Sequence, residues 1–141
     1  YRGADDATRE LFTDDGWLRT GDLVRRGPFG AFTFEGRAKD IVVRGGYNVY
    51  VVEVEQCLES HEAVAEAAVV GLPDDRLGEL PVAAVRLVPG ASVEPADLIA
   101  HAAAHLSRYK VPERVVVVDE LPQSATRKVR RAEVRDLIER G

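Results

Sequence analysis

Hydrophobic and polar positions alternate along the chain with two different periods, which predict short strands and amphipathic helices. Apolar residues recur at helical spacing at Val51, Val54 and Leu58, and again across residues 98–106, so each stretch predicts a helix with one buried face. A third helix is predicted over residues 132–140. The polar positions of the first helix are expected to face away from its buried side: Glu53, Glu55, Gln56 and Glu59.

Apolar and β-branched runs of strand length lie between these helices. Residues 64–72 and 80–88 are separated by turn-forming residues and predict an antiparallel pair of strands. Residues 41–50, broken by Gly45-Gly46, and residues 114–119 predict further strand structure. From residue 41 the order is strand, helix, two strands, helix, strand, helix. This order predicts an α+β fold in which helices cover a small mixed sheet.

A smaller unit is predicted ahead of this region. Residues 5–12 carry acidic residues in their first turn and predict a short helix. Residues 17–25 and 31–34 predict two strands of a hairpin, joined through the loop at 27–30. The hairpin is expected to bury too little apolar surface to stand alone.

Composition and charge narrow the possible functions. The 141 residues are 45% hydrophobic and 30% charged, with a net charge of −5, which is typical of a globular domain and not of a basic nucleic-acid binder. No apolar run approaches the roughly 20 residues of a membrane span. The single cysteine, Cys57, forms no internal disulfide and suits a reducing compartment, so the cytosol is the expected location. The sequence contains no methionine, and we expect it to be part of a longer chain.

Polar residues at the joints between elements are the candidates for chemistry. Gly21 and Asp22 fall within a predicted strand, where both residue types are disfavoured. They indicate either a strand end or bulge, or a carboxylate that accepts hydrogen bonds from two ligand hydroxyls. Arg37 lies in a charged segment between strands that is either a surface turn or part of a site. Gly45-Gly46 indicates a positive-φ turn or a close approach of the backbone to a ligand.

The only dense basic cluster spans residues 127–131, just before the last helix. It is either a solvated tether or an anion site in which Lys128 meets a phosphate or a carboxylate. The three histidines, His61, His101 and His105, are expected to be surface or packing residues that do not cluster with Cys57 at metal-ligand spacing, and no metal site is predicted.

Taken together, these segments resemble the C-terminal part of the adenylate-forming enzymes, the AMP-dependent synthetase and ligase superfamily that includes acyl- and aryl-CoA synthetases. The matching strings run in the family's order over essentially the whole chain. They are DGWLRTGDL (15–23), GRAKDIVVRGGYNVYVVEVE (36–55), AVAEAAVVGLPDDRLGE (63–79), LSRYKVP (106–112) and LPQSATRKVRR (121–131). The second string resembles acyl- or aryl-CoA synthetases more than amino-acid-activating domains.

The resemblance implies an organisation and a two-step reaction. Residues 1–38 would be the end of a large N-terminal adenylation domain, and residues 39–141 a mobile C-terminal lid. A carboxylic acid and ATP would form an acyl-adenylate and pyrophosphate, and CoA would then form the thioester. ATP, Mg²⁺ and CoA would be bound mainly by the N-terminal domain, so the chain alone is expected to be inactive.

The motif match also implies a role for each candidate residue. Lys128 would be the catalytic residue at the α-phosphate, while Asp22 and Arg37 would hold the ribose hydroxyls. Lys39 would be the hinge, and the Gly45-Gly46 pair would leave room for the pantetheine arm of CoA. The sequence departs from the usual family pattern in two places. Arg127 replaces a glycine before the lysine, and Val51 replaces a helix-opening proline.

Two other classes of function are open on the sequence. One is a non-catalytic module that keeps the lid fold and docks on a carrier protein or a partner subunit. The other is an independent nucleotide-binding domain, which would need a phosphate-binding loop that the sequence does not contain.

Overall fold

The computed structural model of the protein describes residues 20–37, 40–125 and 128–140, and the chain divides into two compact units, Tyr1–Lys39 and Asp40–Gly141. In the first unit, β1 (Asp22–Arg26) pairs antiparallel with β2 (Phe32–Arg37) across a connection that contains a single 3-10 turn, Pro28–Gly30. The predicted hairpin is confirmed. The predicted helix at 5–12 and the first residues of the predicted strand lie outside the described residues.

The second unit contains the elements predicted from residue 41 onward, with ends shifted by a few residues. They are β3 (Ile41–Arg44), β4 (Tyr47–Tyr50), α1 (Val51–Glu59), β5 (Val64–Asp74), β6 (Gly78–Leu87), α2 (Pro95–His105), β7 (Arg114–Val118) and α3 (Arg131–Arg140). Among the described residues, no helix is both long enough and apolar enough to cross a bilayer.

Five strands of the second unit form one mixed sheet. The order is β4-β3-β6-β5, all antiparallel, and β7 pairs parallel with β6. One edge of β6 is shared: its first residue, Gly78, pairs with Arg44 of β3, while residues 82–86 pair with β7. The prediction of an α+β fold with a small mixed sheet is therefore confirmed.

Helices cover both faces of this sheet, which explains why the central strands read as continuous apolar runs instead of alternating ones. On β5, Ala67 and Val69 pack with α1 and α2, whereas Ala68 and Val70 pack with α3. The adjacent strand β6 divides in the same way, since successive side chains of a strand point to opposite faces. The largest fully buried side chains of the two cores include Leu58, Leu98 and Ile138.

Two glutamates of α1 do not face away as predicted. The carboxylate of Glu55 accepts a hydrogen bond from the backbone N–H of Val69 at 2.9 Å, and that of Glu59 accepts one from Ala67 at 3.1 Å. Both donors lie on the outer edge of β5, which pairs on that side with none of the strands formed by the described residues. An exposed strand edge carries unpaired N–H groups, and here side-chain carboxylates of the preceding helix satisfy two of them.

Candidate functional site

The two candidates for ribose binding, Asp22 and Arg37, lie directly opposite each other on the hairpin of the first unit. Their Cα atoms are register partners at the open end of β1 and β2. Gly21 before them has a φ of +74°, and Asp22 is exposed, with its N–H bonded to the Thr20 hydroxyl at 3.2 Å. The backbone therefore shows the strand end that the sequence left open, and it brings Asp22 and Arg37 together from positions 15 residues apart.

Gly45 and Gly46 form the two-residue turn between β3 and β4. Both have positive φ, +56° and +82°, which is the requirement of a type I′ hairpin turn. A Cβ at Gly45 would come 3.4 Å from the Leu77 side chain, but one at Gly46 would meet nothing within 4 Å. The glycines are thus explained by turn geometry, and the backbone at Gly46 is open on its outer side.

An exposed aromatic side chain follows this turn, and it is not among the candidate residues predicted from the sequence. Tyr47 is 61% exposed, and its ring centroid lies 4.9 Å from that of Tyr109. Gly45 N–H donates to the Leu77 carbonyl at 2.7 Å, so the turn is held against the β5–β6 connection. The sequence feature that could have identified Tyr47 is its position directly after two glycines, where an aromatic ring lies beside open backbone.

Lys128 lies on a short loop between β7 and α3 whose two arms are hydrogen-bonded to each other. Ser124 N–H donates to the Lys128 carbonyl at 2.8 Å, and Lys128 N–H donates to the Ser124 hydroxyl at 3.2 Å. Gln123 and Val129 form an isolated antiparallel bridge next to them. The Lys128 side chain is exposed, and within the described ranges it has no ion-pair partner. The loop therefore presents an uncompensated ammonium group.

The basic cluster is not a uniformly solvated tether. Arg130 pairs with Glu133 one turn into α3, at 2.7 Å, and both side chains are about half exposed. Arg131 is much less exposed and is held by α1 and β5. Its Nη1 lies 2.6 Å from Glu55 Oε1 and 2.6 Å from the Val69 carbonyl oxygen. Three neighbouring cations thus occupy three different environments, and only that of Lys128 suits an external anion.

Arg131 also connects the start of α3 with the first residue of the second unit. Its Nε lies 3.3 Å from Asp40 Oδ1. Burial works to lower the pKa of Arg131, but the hydrogen bonds and charges of Glu55 and Asp40 outweigh it and raise the pKa. The sequence-predicted hinge, Lys39, lies outside the described residues. The boundary between the two compact units falls directly after it.

A second ion pair fastens the segment that follows α2. The Nζ of Lys110 lies 2.7 Å from both carboxylate oxygens of Glu53. The hydrogen bond to Glu53 raises the pKa of Lys110 and outweighs the opposing effect of burial. Lys110 and Glu53 are 57 residues apart in the sequence. Their ion pair therefore holds the segment that contains Tyr109 and Lys110 in place near the Gly45-Gly46 turn.

The expectation that the histidines do not cluster with Cys57 is wrong for His101 and His105. One potential ligand atom from each of Cys57, His101 and His105 lies within 4.8 Å of the others. Helices α1 and α2 pack on the same face of the sheet and bring these residues together across 44 positions. Burial, and then the charge of Glu53, raise the pKa of the Cys57 thiol. Sequence spacing alone gives no sign of this cluster, because it depends on how the two helices pack.

In the second unit the described residues thus offer an exposed ammonium group at Lys128 and an open glycine turn beside an aromatic ring. In the first unit the hairpin offers a carboxylate opposite an arginine position. An ammonium group can stabilise negative charge that develops on a ligand, and a carboxylate can accept hydrogen bonds from ligand hydroxyls.

Comparison with known proteins gives a consistent picture. The family model described as the AMP-binding enzyme C-terminal domain matches residues 53–128. The sulfoacetate–CoA ligase of Cupriavidus necator is 44% identical over 131 residues, which are 93% of this chain and 26% of that ligase.

Two solved structures show the same fold. The o-succinylbenzoate CoA synthetase MenE of Bacillus subtilis, in complex with its acyl-adenylate intermediate, superimposes with a TM-score of 0.88 at 36% identity, covering 95% of this chain and 27% of that one. ATP-bound MatB of Rhodopseudomonas palustris superimposes with a TM-score of 0.87 at 33% identity, covering 97% and 27%. The chain spans about a quarter of the length of the curated relatives it matches.

Proposed function

Because the chain belongs to the family of AMP-binding enzyme C-terminal domains, we propose that it is the C-terminal part of an ATP-dependent acyl- or aryl-CoA synthetase. The enzyme joins a carboxylic acid to AMP with release of pyrophosphate and then transfers the acyl group to CoA. Residues 1–38 are the end of its adenylation domain and residues 39–141 are its lid. The chain alone does not form adenylate, because the relatives it matches are about four times as long.

The observation that carries this proposal is the exposed ammonium of Lys128, which no carboxylate among the described residues neutralises. A positive charge that is already paired is worth little to an incoming phosphate. Lys128 is instead free to approach the α-phosphate as the substrate carboxylate attacks it. An interaction that forms mainly as charge develops lowers the barrier of the adenylation step without tightening ground-state binding.

The other site residues act on the nucleotide, on the lid and on the acceptor. Asp22 and Arg37 hold the ribose hydroxyls, and the two positions are register partners on the hairpin. Lys39 is the hinge about which the lid turns between the two steps. The open backbone of Gly46 then admits the pantetheine arm of CoA, with Gly45 shaping the turn.

Mg²⁺ accompanies ATP and is assigned to the N-terminal domain. The acid is a carboxylic acid whose pocket lies in the part of the enzyme ahead of this chain. We place the enzyme in the cytoplasm, where a thiol such as Cys57 stays reduced.

A non-catalytic docking module is the second candidate, and no observation favours it. Such a module has no stated role for the exposed Lys128, which has no ion-pair partner among the described residues.

The test uses the full-length protein with a panel of carboxylic acids. Lys128→Ala is expected to slow pyrophosphate release by about 10²-fold or more, the scale of losing one preorganised donor. Thioester formation from supplied acyl-adenylate is expected to change far less. The matched control is Arg130→Ala, which removes an exposed cation from the same segment and is expected to release pyrophosphate at close to the wild-type rate.

Unchanged pyrophosphate release in Lys128→Ala would remove Lys128 from the active site. Absence of ATP-dependent pyrophosphate release from the wild-type protein with every acid tested would overturn the proposed reaction.

A further inference from the structure

The packing of α1 against α2 creates a group of side chains that the proposed reaction does not use. Cys57 lies near the end of α1, while His101 and His105 occupy successive turns of α2. One ligand atom from each lies within 4.8 Å of the other two. A tetrahedral ion with bonds of about 2.0–2.3 Å separates its ligand atoms by about 3.3–3.6 Å, so the three ligand atoms have to move closer together to hold one ion.

The hydrogen bonds around His105 prepare one of its ring nitrogens to bind a metal. The Nδ1 of His105 lies 2.8 Å from the carbonyl oxygen of His101. A carbonyl only accepts, so Nδ1 carries the proton and donates, and Nε2 of the neutral ring keeps its lone pair. A metal-binding imidazole commonly donates its other N–H to a backbone carbonyl in this way.

The same argument applies to His101. Its Nε2 lies 3.1 Å from the Cys57 carbonyl oxygen and 2.9 Å from the Ser60 hydroxyl. The Ser60 hydroxyl itself donates to the Cys57 carbonyl at 2.6 Å, so its oxygen accepts from His101. Nε2 therefore carries the proton and Nδ1 keeps its lone pair. Both rings are thus fixed in tautomers that leave one nitrogen available.

The surroundings suit an exchangeable ion. Cys57 and His101 are half buried, and His105 is exposed, so the group is accessible from solvent. Two imidazole nitrogens and one sulfur are the ligands preferred by Zn²⁺ and by similar late transition metals, not by Mg²⁺ or Ca²⁺.

We propose that Cys57, His101 and His105 form a binding site for Zn²⁺ or a related late transition-metal ion, which links α1 to α2. On binding, the thiol gives up its proton to solvent and the resulting thiolate bonds to the ion, so metal uptake releases one proton. The site is separate from the proposed adenylation chemistry, and its test does not depend on enzyme activity.

The experiment is a titration of the purified, metal-free protein with Co²⁺, which reports its ligands through absorption. We expect one equivalent to bind with tetrahedral visible bands and a sulfur-to-cobalt charge-transfer band, and Zn²⁺ to displace it. Cys57→Ser is expected to lose the charge-transfer band. His105→Ala, at an exposed position, is expected to weaken binding by more than about tenfold, the lower end of what is lost with an outer-shell partner alone.

The matched control is His61→Ala. The His61 ring lies 5.2 Å from the His101 ring but is not one of the three converging residues, so cobalt affinity is expected to stay unchanged. Circular dichroism and thermal melting of each metal-free variant check that it is folded. Absence of stoichiometric cobalt binding to the wild-type protein overturns the proposal. So does a charge-transfer band that persists in Cys57→Ser, or a loss in His61→Ala equal to that in His105→Ala.

Discussion

The guanidinium of Arg131 and the carboxylate of Glu55 make a two-point contact, with Nη1 2.6 Å from Oε1 and Nη2 3.4 Å from Oε2. The two residues are 76 positions apart, at the start of α3 and in the middle of α1. The same guanidinium donates to the Val69 carbonyl of β5. This contact joins α3, α1 and β5 three residues after Lys128 in the sequence.

Replacing Arg131 is expected to destabilise the protein. Arg131→Ala leaves the Glu55 carboxylate and the Val69 carbonyl without this donor, and hydrogen bonds to charged groups are worth about 1.5–3 kcal/mol. Urea denaturation measures the loss. Arg130→Ala is the control, because its exposed pair with Glu133 is worth about 0.2–1 kcal/mol or less. Equal urea denaturation midpoints for the two variants would show that the contacts of Arg131 stabilise the fold no more than the exposed pair of Arg130 does.

The Lys110–Glu53 pair gives stability a dependence on pH. Because the hydrogen bond to Glu53 raises the pKa of Lys110 in the folded protein, its contribution is complete below the ordinary lysine pKa of about 10.4 and is lost as the pH rises through the raised value. At neutral pH the free energy of unfolding of the wild type is expected to exceed that of Glu53→Gln by up to about 1 kcal/mol. The difference should shrink in strong alkali.

Denaturation at several pH values measures this difference. Glu133→Gln is the matched control, because it breaks an exposed pair with an arginine instead of a lysine and the small difference in stability should stay constant. A Glu53→Gln effect that persists unchanged in strong alkali would show that Lys110 does not carry it.

Gly46 offers a test of the proposed path of CoA, with a control inside the chain. Gly46 and Gly90 have almost the same φ, +82° and +83°, and a Cβ at either would meet nothing within 4 Å. Alanine at each position therefore costs the same backbone strain, about 1 kcal/mol. Only Gly46→Ala is expected to raise the KM for CoA and slow thioester formation in the full-length enzyme. Equal kinetics for the two variants would remove Gly46 from the CoA path.

The proposed hinge is tested by fixing its backbone. Lys39→Pro holds φ near −65°, whereas Lys39→Ala removes the side chain and leaves φ free. The proline variant is expected to change the ratio of the two half-reaction rates by about tenfold, or about 1.4 kcal/mol. The direction depends on which lid position the proline favours. The alanine variant should keep the wild-type ratio. Equal loss of both half-reactions in a stable proline variant would place the hinge elsewhere.

Local patterns in the sequence were enough for most of the fold. Helical spacing placed Val51, Val54 and Leu58 on the buried side of α1, where all three lie in the core. The Gly45-Gly46 pair marked a turn, because two successive positive φ values are costly for other residues. These predictions succeeded because each depends on the chemistry of residues within a few positions of one another.

Tertiary structure decided what each polar group contacts. The sequence placed Lys128, Arg130 and Arg131 in one basic cluster, and packing gave each a different environment, since Arg131 meets α1 and β5 while Lys128 stays exposed. The sequence predicts that Glu55 faces away from the buried side. In the structure its carboxylate instead accepts a hydrogen bond from an N–H at the edge of β5. The grouping of Cys57 with His101 likewise depends on two helices meeting across 44 residues. No local pattern contains that information, because the free energy that brings these groups together comes from the burial of apolar side chains elsewhere on the same helices.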